Sequence, residues 1–161
     1  MNLEEVYLRI KKERGGIASI HSAFEKIPDG IEAHYDFYQR IFLDGTLPLS
    51  RFEREFLAVE TSKNNECSYC IGHHEEALKN QVYPGEEEIE KPKREALRTL
   101  AGVLTKEPYK ACVLKSSFLK AGYGEAEFQH AVFVVSYFNF ANRLAHAMEL
   151  ELEEDFKTTC S

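Results

Sequence analysis

The sequence predicts an all-α domain, a compact bundle of about six to eight helices, on three observations. Apolar residues recur at i, i+3, i+4 and i+7 in nearly every segment. Glycine, proline and asparagine break the pattern at intervals suited to short connections. A long apolar stretch, Ala131-Val132-Phe133-Val134-Val135, continues into flanks of helical character on both sides. The 161 residues, with 43% hydrophobic content, suit a single domain over 1–161 with a core of ordinary size.

Leu3, Val6, Tyr7 and Ile10 form the stripe of a first amphipathic helix, which Gly15-Gly16 ends. Ile17, Ile20, His21, Phe24 and Ile27 repeat the spacing up to Pro28-Asp29-Gly30. Ile31, His34, Tyr35, Tyr38, Ile41 and Phe42 repeat it again up to Asp44-Gly45, and both breaks read as turns. Ser50 followed three residues later by Glu53 is a capping box; it opens a helix whose Phe52, Phe56 and Val59 share a face and which ends near Asn64-Asn65. The next helix carries Cys67 to His74. Tyr83-Pro84-Gly85 and the run Glu86-Glu87-Glu88 read as a solvated link or a helix start. Pro92 suits a first helical turn, with Leu97, Leu100, Ala101 and Leu104 on one face beyond it. Pro108 begins a segment running to Ala121-Gly122. From Glu125 one long helix follows, apolar on every side at residues 131–135, as expected in the centre of a bundle or at a subunit interface.

A net charge of -7 argues against nucleic acid or an anionic membrane surface as the main partner and favours a neutral or hydrophobic substrate. The first six residues lack a basic segment followed by an apolar run, and no stretch approaches the roughly 18 apolar residues of a membrane span. The chain is therefore expected to be soluble and cytoplasmic. A domain of this size does not need disulfide staples, so a CxxC among its four cysteines reads as redox or metal chemistry. Cys112, beside Ala111, Val113 and Leu114, is expected to be a buried inert thiol, and Cys160 to lie in a loose tail.

Cys67-Ser68-Tyr69-Cys70-Ile71-Gly72-His73-His74 points most directly at chemistry. With Cys67 at zero on a helical wheel, Cys70 falls at about 300° and His74 at about 340°, on one narrow face, while His73 falls at about 240°, at its margin. A turn at Asn64-Asn65-Glu66 makes this helix antiparallel to the one before it. At 1.5 Å per residue Glu55 lies roughly 13 Å before the turn and His74 roughly 12 Å after it, so the two stand level. Glu55 also falls beside the packing face and should be partly desolvated.

These groups can activate a thiol, because the thiolate is the nucleophile and an ordinary cysteine is mostly protonated at neutral pH. A histidine beside Cys70 can take its proton, and a carboxylate can orient the imidazole. Attack on a peroxide O–O bond gives a sulfenic acid, the neighbouring thiol condenses with it, and an external reductant reopens the disulfide. The helix N-terminus favours the thiolate of Cys67 while His74 favours Cys70, so spacing leaves the attacking thiol open.

Leu49-Ser50, Arg54-Glu55, the twelve residues from Glu55 to Cys67, the CxxC with His74 four residues after Cys70, and the later Phe138-Asn139-Phe140-Ala141-Asn142-Arg143-Leu144-Ala145 together form a pattern. It resembles the peroxidase branch of the alkylhydroperoxidase D-like and carboxymuconolactone decarboxylase superfamily, over about 30–152. The resemblance implies a small all-helical fold and a peroxidase that reduces organic hydroperoxides. In that scheme Cys70 attacks, Cys67 resolves, and Glu55 with His74 relays the proton. It further implies no bound cofactor, a dithiol reductant or redox protein as partner, and a homo-oligomer, trimeric or hexameric. The best-known peroxidase members carry histidine between the cysteines where this chain has Tyr69. Its hydroxyl can still donate a hydrogen bond to a thiolate or bound oxygen, and Tyr69 is taken as a substrate-binding residue. The decarboxylase branch lacks the CxxC, so lactone decarboxylation is not expected.

Two other readings stand beside this one. The chain could be a redox-sensing or disulfide-exchange oligomeric module with little turnover, or a metal-binding protein in which Cys67, Cys70 and His74 are ligands and Glu55 or His73 is the fourth. Without the resemblance, Glu55 reads as a helix-surface carboxylate paired with a basic residue. His21, His34 and His146 read as packing histidines, and Tyr69 is divided between site wall and packing.

Overall fold

Caps and packing set the helix boundaries in the computed structural model, which describes residues 2–80 and 89–159; the expected features at Tyr83 to Glu88 and at Cys160 lie outside the described residues. Asn2 and Glu5 form a reciprocal capping box that opens α1 (Leu3–Arg14), and Gly15 ends it in the left-handed conformation, φ 85°. The expected helix over 17–27 shrinks to one turn, α2 (Ser19–Ser22), with no side-chain cap. Pro28-Asp29-Gly30 is not the turn the sequence suggests but the first turn of α3 (Pro28–Tyr38). Proline fits a helix's first position, where its missing N–H is not needed, and it keeps the residue before it out of the helical region; Ile27 stands at φ -132° and ψ 70°.

The chain continues from α3 into a π-helical turn, Gln39–Leu43. The carbonyls left open there find side-chain donors: Arg54 Nη1 donates to Phe42 O at 2.5 Å and Asp44 O at 2.7 Å, and His130 Nε2–H donates to Ile41 O at 2.8 Å. Both halves of the Ser50/Glu53 capping box are present at the start of α4 (Arg51–Asn64). After α5 (Ser68–Asn80), α6 (Lys91–Lys106) begins with Pro92 in its first turn. A 3-10 segment, Pro108–Val113, leads into α7 (Leu114–Lys120); α8 (Glu125–Ala147) and α9 (Phe156–Thr159) complete the described chain.

Helix α4 is central, packing on α5, α6 and α8 at once. Leu57, Leu97, Leu100, Ala101, Phe118, Val134, Val135 and Phe138 fill the core between them, and a smaller cluster of Val6, Ile10, Ile31 and Tyr35 fastens α1 to α3. Two expectations change. Helix α8 is not enclosed on all sides: Phe133 is 56% and Phe140 46% exposed, because only one face of the helix meets α4 and α6. Cys112 is exposed rather than buried, since the tight 3-10 segment turns Ala111 inward and leaves the next two residues outward. Among the described residues there is no strand, and no helix is long and apolar enough to cross a membrane.

Candidate active site

The α4–α5 connection places both thiols. Asn65 caps α4 and Glu66 takes the left-handed conformation, φ 57°. Glu66 N–H then donates to Lys63 O at 3.1 Å and Cys67 N–H to Ser62 O at 3.0 Å. That pair of bonds is a Schellman closure, and it leaves Cys67 as the residue immediately before α5. Its sulfur accepts from the backbone N–H of Cys70, three residues on, as a serine or aspartate cap would. The Cys70 thiol also bonds the Cys67 sulfur, and this contact is the main reason the Cys67 thiol is lowered to about 7; desolvation works against it. Cys70 is pushed up by the same contact and by burial, although a hydrogen bond from the Asn142 side chain opposes the rise. Both thiols are buried and free of any disulfide, and their contact favours the thiolate on Cys67 and the thiol on Cys70.

The expected level placement of Glu55 and His74 holds. His74 donates its Nδ1–H to Glu55 Oε2 at 2.7 Å. Arg51, one turn before Glu55 on α4, donates to the other carboxylate oxygen at 2.8 and 2.6 Å. Glu55 is fully buried; burial would raise its carboxyl, but His74 and Arg51 hold it below the usual range. Glu55 is therefore no surface carboxylate. The edges of the Phe42 and Phe138 rings frame the His74 imidazole. With Nδ1 committed, Nε2 has no protein partner among the described residues, and the ring lines a cavity of about 150 Å³.

Cys70, His74 and Tyr69 all border that cavity, whereas Cys67 does not. Tyr69 is part of its wall and is also anchored, its hydroxyl donating to Glu153 Oε1 at 3.1 Å and accepting from Ile20 N–H at 3.3 Å. Of the five site residues expected from the sequence, four thus meet at or directly behind the cavity, with Cys67 one turn beneath.

The structure gives several further residues a place around the site. His73 is buried and bonds Glu153 Oε2 at 2.8 Å, and Glu153 also accepts from Ser19 N–H at 2.5 Å, so the segment after α8 is strapped across α5 and α2. The strap lies so close that a Cβ on Gly72 would come within 2.5 Å of Leu152. Asn142, fully buried, donates to Ser62 Oγ at 3.0 Å and accepts from Asn65 Nδ2 at 2.9 Å while touching Cys70. Asn139 and Asn142, three residues apart on a largely apolar helix and both accepting from Asn65 Nδ2, were the available signal. His146, at the exposed end of α8, donates Nε2–H to Asn65 O at 2.8 Å and fixes the turn before Cys67. His21 and His34 are buried as expected, but they border the same cavity. Among the described residues, no group of three His, Cys, Asp or Glu side chains is arranged to hold a metal ion.

No protein-family model matches the chain, and no curated protein matches it in sequence. Solved structures do match. A peroxidase-related protein from Silicibacter sp. TM1040 superposes with a TM-score of 0.80 at 18% identity, over 98% of this chain and 88% of that one. An alkylhydroperoxidase AhpD core, a peroxidase-related protein from Ralstonia eutropha JMP134, gives 0.78 at 18% identity, again over 98% and 88%. The debrominase Bmp8 gives 0.77 at 16% identity over 98% and 89%, and a variant of it has been solved with 2,3,4-tribromopyrrole. The chain is similar to these proteins in fold.

Proposed function

We propose that a chain with this alkylhydroperoxidase-like fold is a thiol-dependent reductase of organic hydroperoxides, working through a Cys67/Cys70 dithiol and disulfide cycle. The observation that carries the reading is one cavity bordered both by the Cys70 thiol and by a His74 ring whose Nδ1 is committed to a buried carboxylate. That commitment leaves Nε2 as the basic atom. For attack the Cys70 S–H turns from the Cys67 sulfur toward His74 Nε2, which accepts its proton, and the Cys70 sulfur attacks the terminal peroxide oxygen. The O–O bond breaks, an S–O bond forms, and the leaving alkoxide takes the proton back from Nε2 and departs as the alcohol. Cys67, whose sulfur still accepts from the Cys70 backbone N–H, then gives up its proton and attacks the sulfenic sulfur as a thiolate. An S–S bond forms and hydroxide leaves, protonated to water. A dithiol reductant restores the pair, so the sum is one hydroperoxide and two thiols converted to alcohol, water and a disulfide.

Tyr69 stands in the wall at the place between the cysteines and shapes the peroxide's approach through its ring, because its one O–H is given to Glu153 and not to a thiolate or bound oxygen; it moves no proton, since burial and the neighbouring Glu153 raise its hydroxyl well above the ordinary value. The test is multiple turnover of cumene hydroperoxide with dithiothreitol. Cys70→Ser and Cys67→Ser should each abolish cycling, and Cys70→Ser should also abolish the single-turnover burst that Cys67→Ser retains. Full turnover by Cys70→Ser would reverse the two thiol roles. One oxidation per chain and no further consumption by the wild type would replace the catalyst with the redox-sensing reading.

A further inference from the structure

Arg14, at the last position of α1, borders the cavity and makes no ion pair among the described residues, and its Nη1 is buried with no hydrogen-bond partner. This is unusual in a chain with 27 acidic residues, where the other cavity arginine, Arg51, holds Glu55 and the nearby Arg9 holds Glu13 and Asp36. A buried guanidinium nitrogen without an acceptor is costly to fold, by about 1–3 kcal/mol or more for a charged group. Beside it stands a second buried nitrogen without a partner. His21 is only 4% exposed, borders the cavity, and has an Nδ1 with no partner.

Two carboxylates close to this corner, Glu13 on the cavity border and Glu153 acting on His21, are already engaged. Glu13 accepts from Gln39 Nε2 at 2.7 Å and from Arg9 at 3.3 Å, while Glu153 is held by His73, Tyr69 and Ser19. The floor between this corner and the thiol site is aromatic. His21 contacts His34 at 5.5 Å between ring centres, His34 stacks on Tyr137 at 5.6 Å, Tyr137 meets Phe138 at 5.1 Å, and Phe138 meets His74 at 4.6 Å. The anion-ready corner and the proton relay therefore lie at opposite ends of one aromatic wall. The cavity of about 150 Å³ is comparable with one that takes up benzene, so it seats the ring of a ligand while the groups at its two ends reach Arg14 and Cys70 on the border.

We propose that Arg14 and His21 form a carboxylate-binding subsite, and that the preferred substrate is a compact, single-ring hydroperoxide carrying a carboxylate at the end remote from its O–O bond. The hydroperoxide half of this statement rests on the function proposed above; the carboxylate half does not. Arg14 supplies charge and Nη1–H, His21 in its Nδ1–H tautomer supplies a neutral donor, and the ring of the substrate lies along Tyr137 and Phe138. In this arrangement binding energy from the carboxylate fixes the reacting oxygen near Cys70.

The test separates binding from turnover. Calorimetric titration of the reduced protein with 4-isopropylbenzoate and with 4-isopropylbenzamide should give at least tenfold tighter binding of the acid. Arg14→Gln should remove the difference and Arg14→Lys should restore part of it. Arg40→Gln, which alters an exposed cation outside the cavity, should keep it. Cys70→Ser should also keep it. In turnover, the ratio of kcat/KM for the hydroperoxide of 4-isopropylbenzoate to that for cumene hydroperoxide should collapse by tenfold or more in Arg14→Gln, mainly through KM. Equal affinity for acid and amide in the wild type, or an undiminished preference in Arg14→Gln, would overturn the subsite. Acid-selective binding without turnover of either hydroperoxide would leave the subsite standing and sink the peroxidase.

Discussion

Glu55 has no surface exposure, yet it is held ionised between Arg51 and His74, which makes it the residue most tightly bound up with the proposed chemistry. Exchanging it for Gln keeps the shape and one acceptor oxygen but removes the charge that would steady a protonated His74. Glu55→Gln should lower kcat by about 10²-fold and slow iodoacetamide alkylation of the dithiol near neutral pH, with circular dichroism unchanged; unaltered rates in both assays would remove Glu55 from the relay. The sequence made this pair legible because helix pitch converts chain spacing into height along two antiparallel helices, and the nineteen-residue separation of Glu55 and His74 closes to 2.7 Å. His73 with Glu153, separated by 80 residues, and Ser19 with Glu153, separated by 134, had no such ruler. Their meeting depends on where the chain after α8 crosses the bundle, which no local periodicity encodes. Arg14 and His21 escaped for the opposite reason. Their meaning lies in missing partners, and an absence of partners is visible only after packing.

At the scale of the elements, the turn between α4 and α5 carries strain in a place where it is useful. Glu66 occupies the left-handed position that closes a Schellman motif, a site where glycine is the usual residue and a side chain costs about 1–2 kcal/mol. Its successor is Cys67, so the shape of this turn fixes how that sulfur faces the Cys70 N–H. Glu66→Gly should raise the denaturation midpoint by an amount equivalent to about 1 kcal/mol, read by urea unfolding of the reduced protein with an unchanged m-value. A fall in stability would mean that Glu66 makes a compensating contact worth more than its backbone strain. The turn itself was legible, since paired asparagines after an amphipathic run end a helix. Boundaries near proline were less so. Pro28 opens α3 instead of separating two helices, and the segment after Pro108 tightens into a 3-10 turn, because proline marks a discontinuity without saying on which side the helix lies. The apolar run at 131–135 overstated burial for a related reason: hydrophobicity gives the need for cover, while the number of neighbouring helices decides how much cover there is.

Across the whole molecule, the cavity imposes a stability that depends on pH. Desolvation is the main reason His21 is lowered to about 3 and His34 to about 4, with the charge of Arg14 pressing the same way on both and Glu153 pulling His21 upward. Both rings are thus neutral in the folded protein and remain so well below the ordinary histidine value of about 6.5. As pH falls through about 6.5 the unfolded chain takes up two protons that the folded chain refuses, so stability is fully present above that value and declines below it. Each ring accounts for up to about 1.4 kcal/mol per pH unit, and by pH 4.5 the pair withdraws about 5 kcal/mol, a loss comparable with the total stability of many domains. Glu153 acts in the same direction but in a separate window. Its carboxyl is held well below the usual range, chiefly by His73 and Ser19 against the opposing effect of burial, so its contribution fades only below about 4.3. His130 is also lowered by burial and adds to the decline below about 6.5. Urea unfolding at pH 7.5, 6.0 and 5.0 should therefore show a falling midpoint, and the His21→Gln/His34→Gln double variant, whose amide at 34 can still meet the Tyr137 hydroxyl, should show a slope less than half as steep. If the wild-type midpoint holds constant across that range, the two rings accept protons within the fold, and the neutral aromatic wall that separates the anion corner from the thiol pair would have to be redrawn as a cationic one.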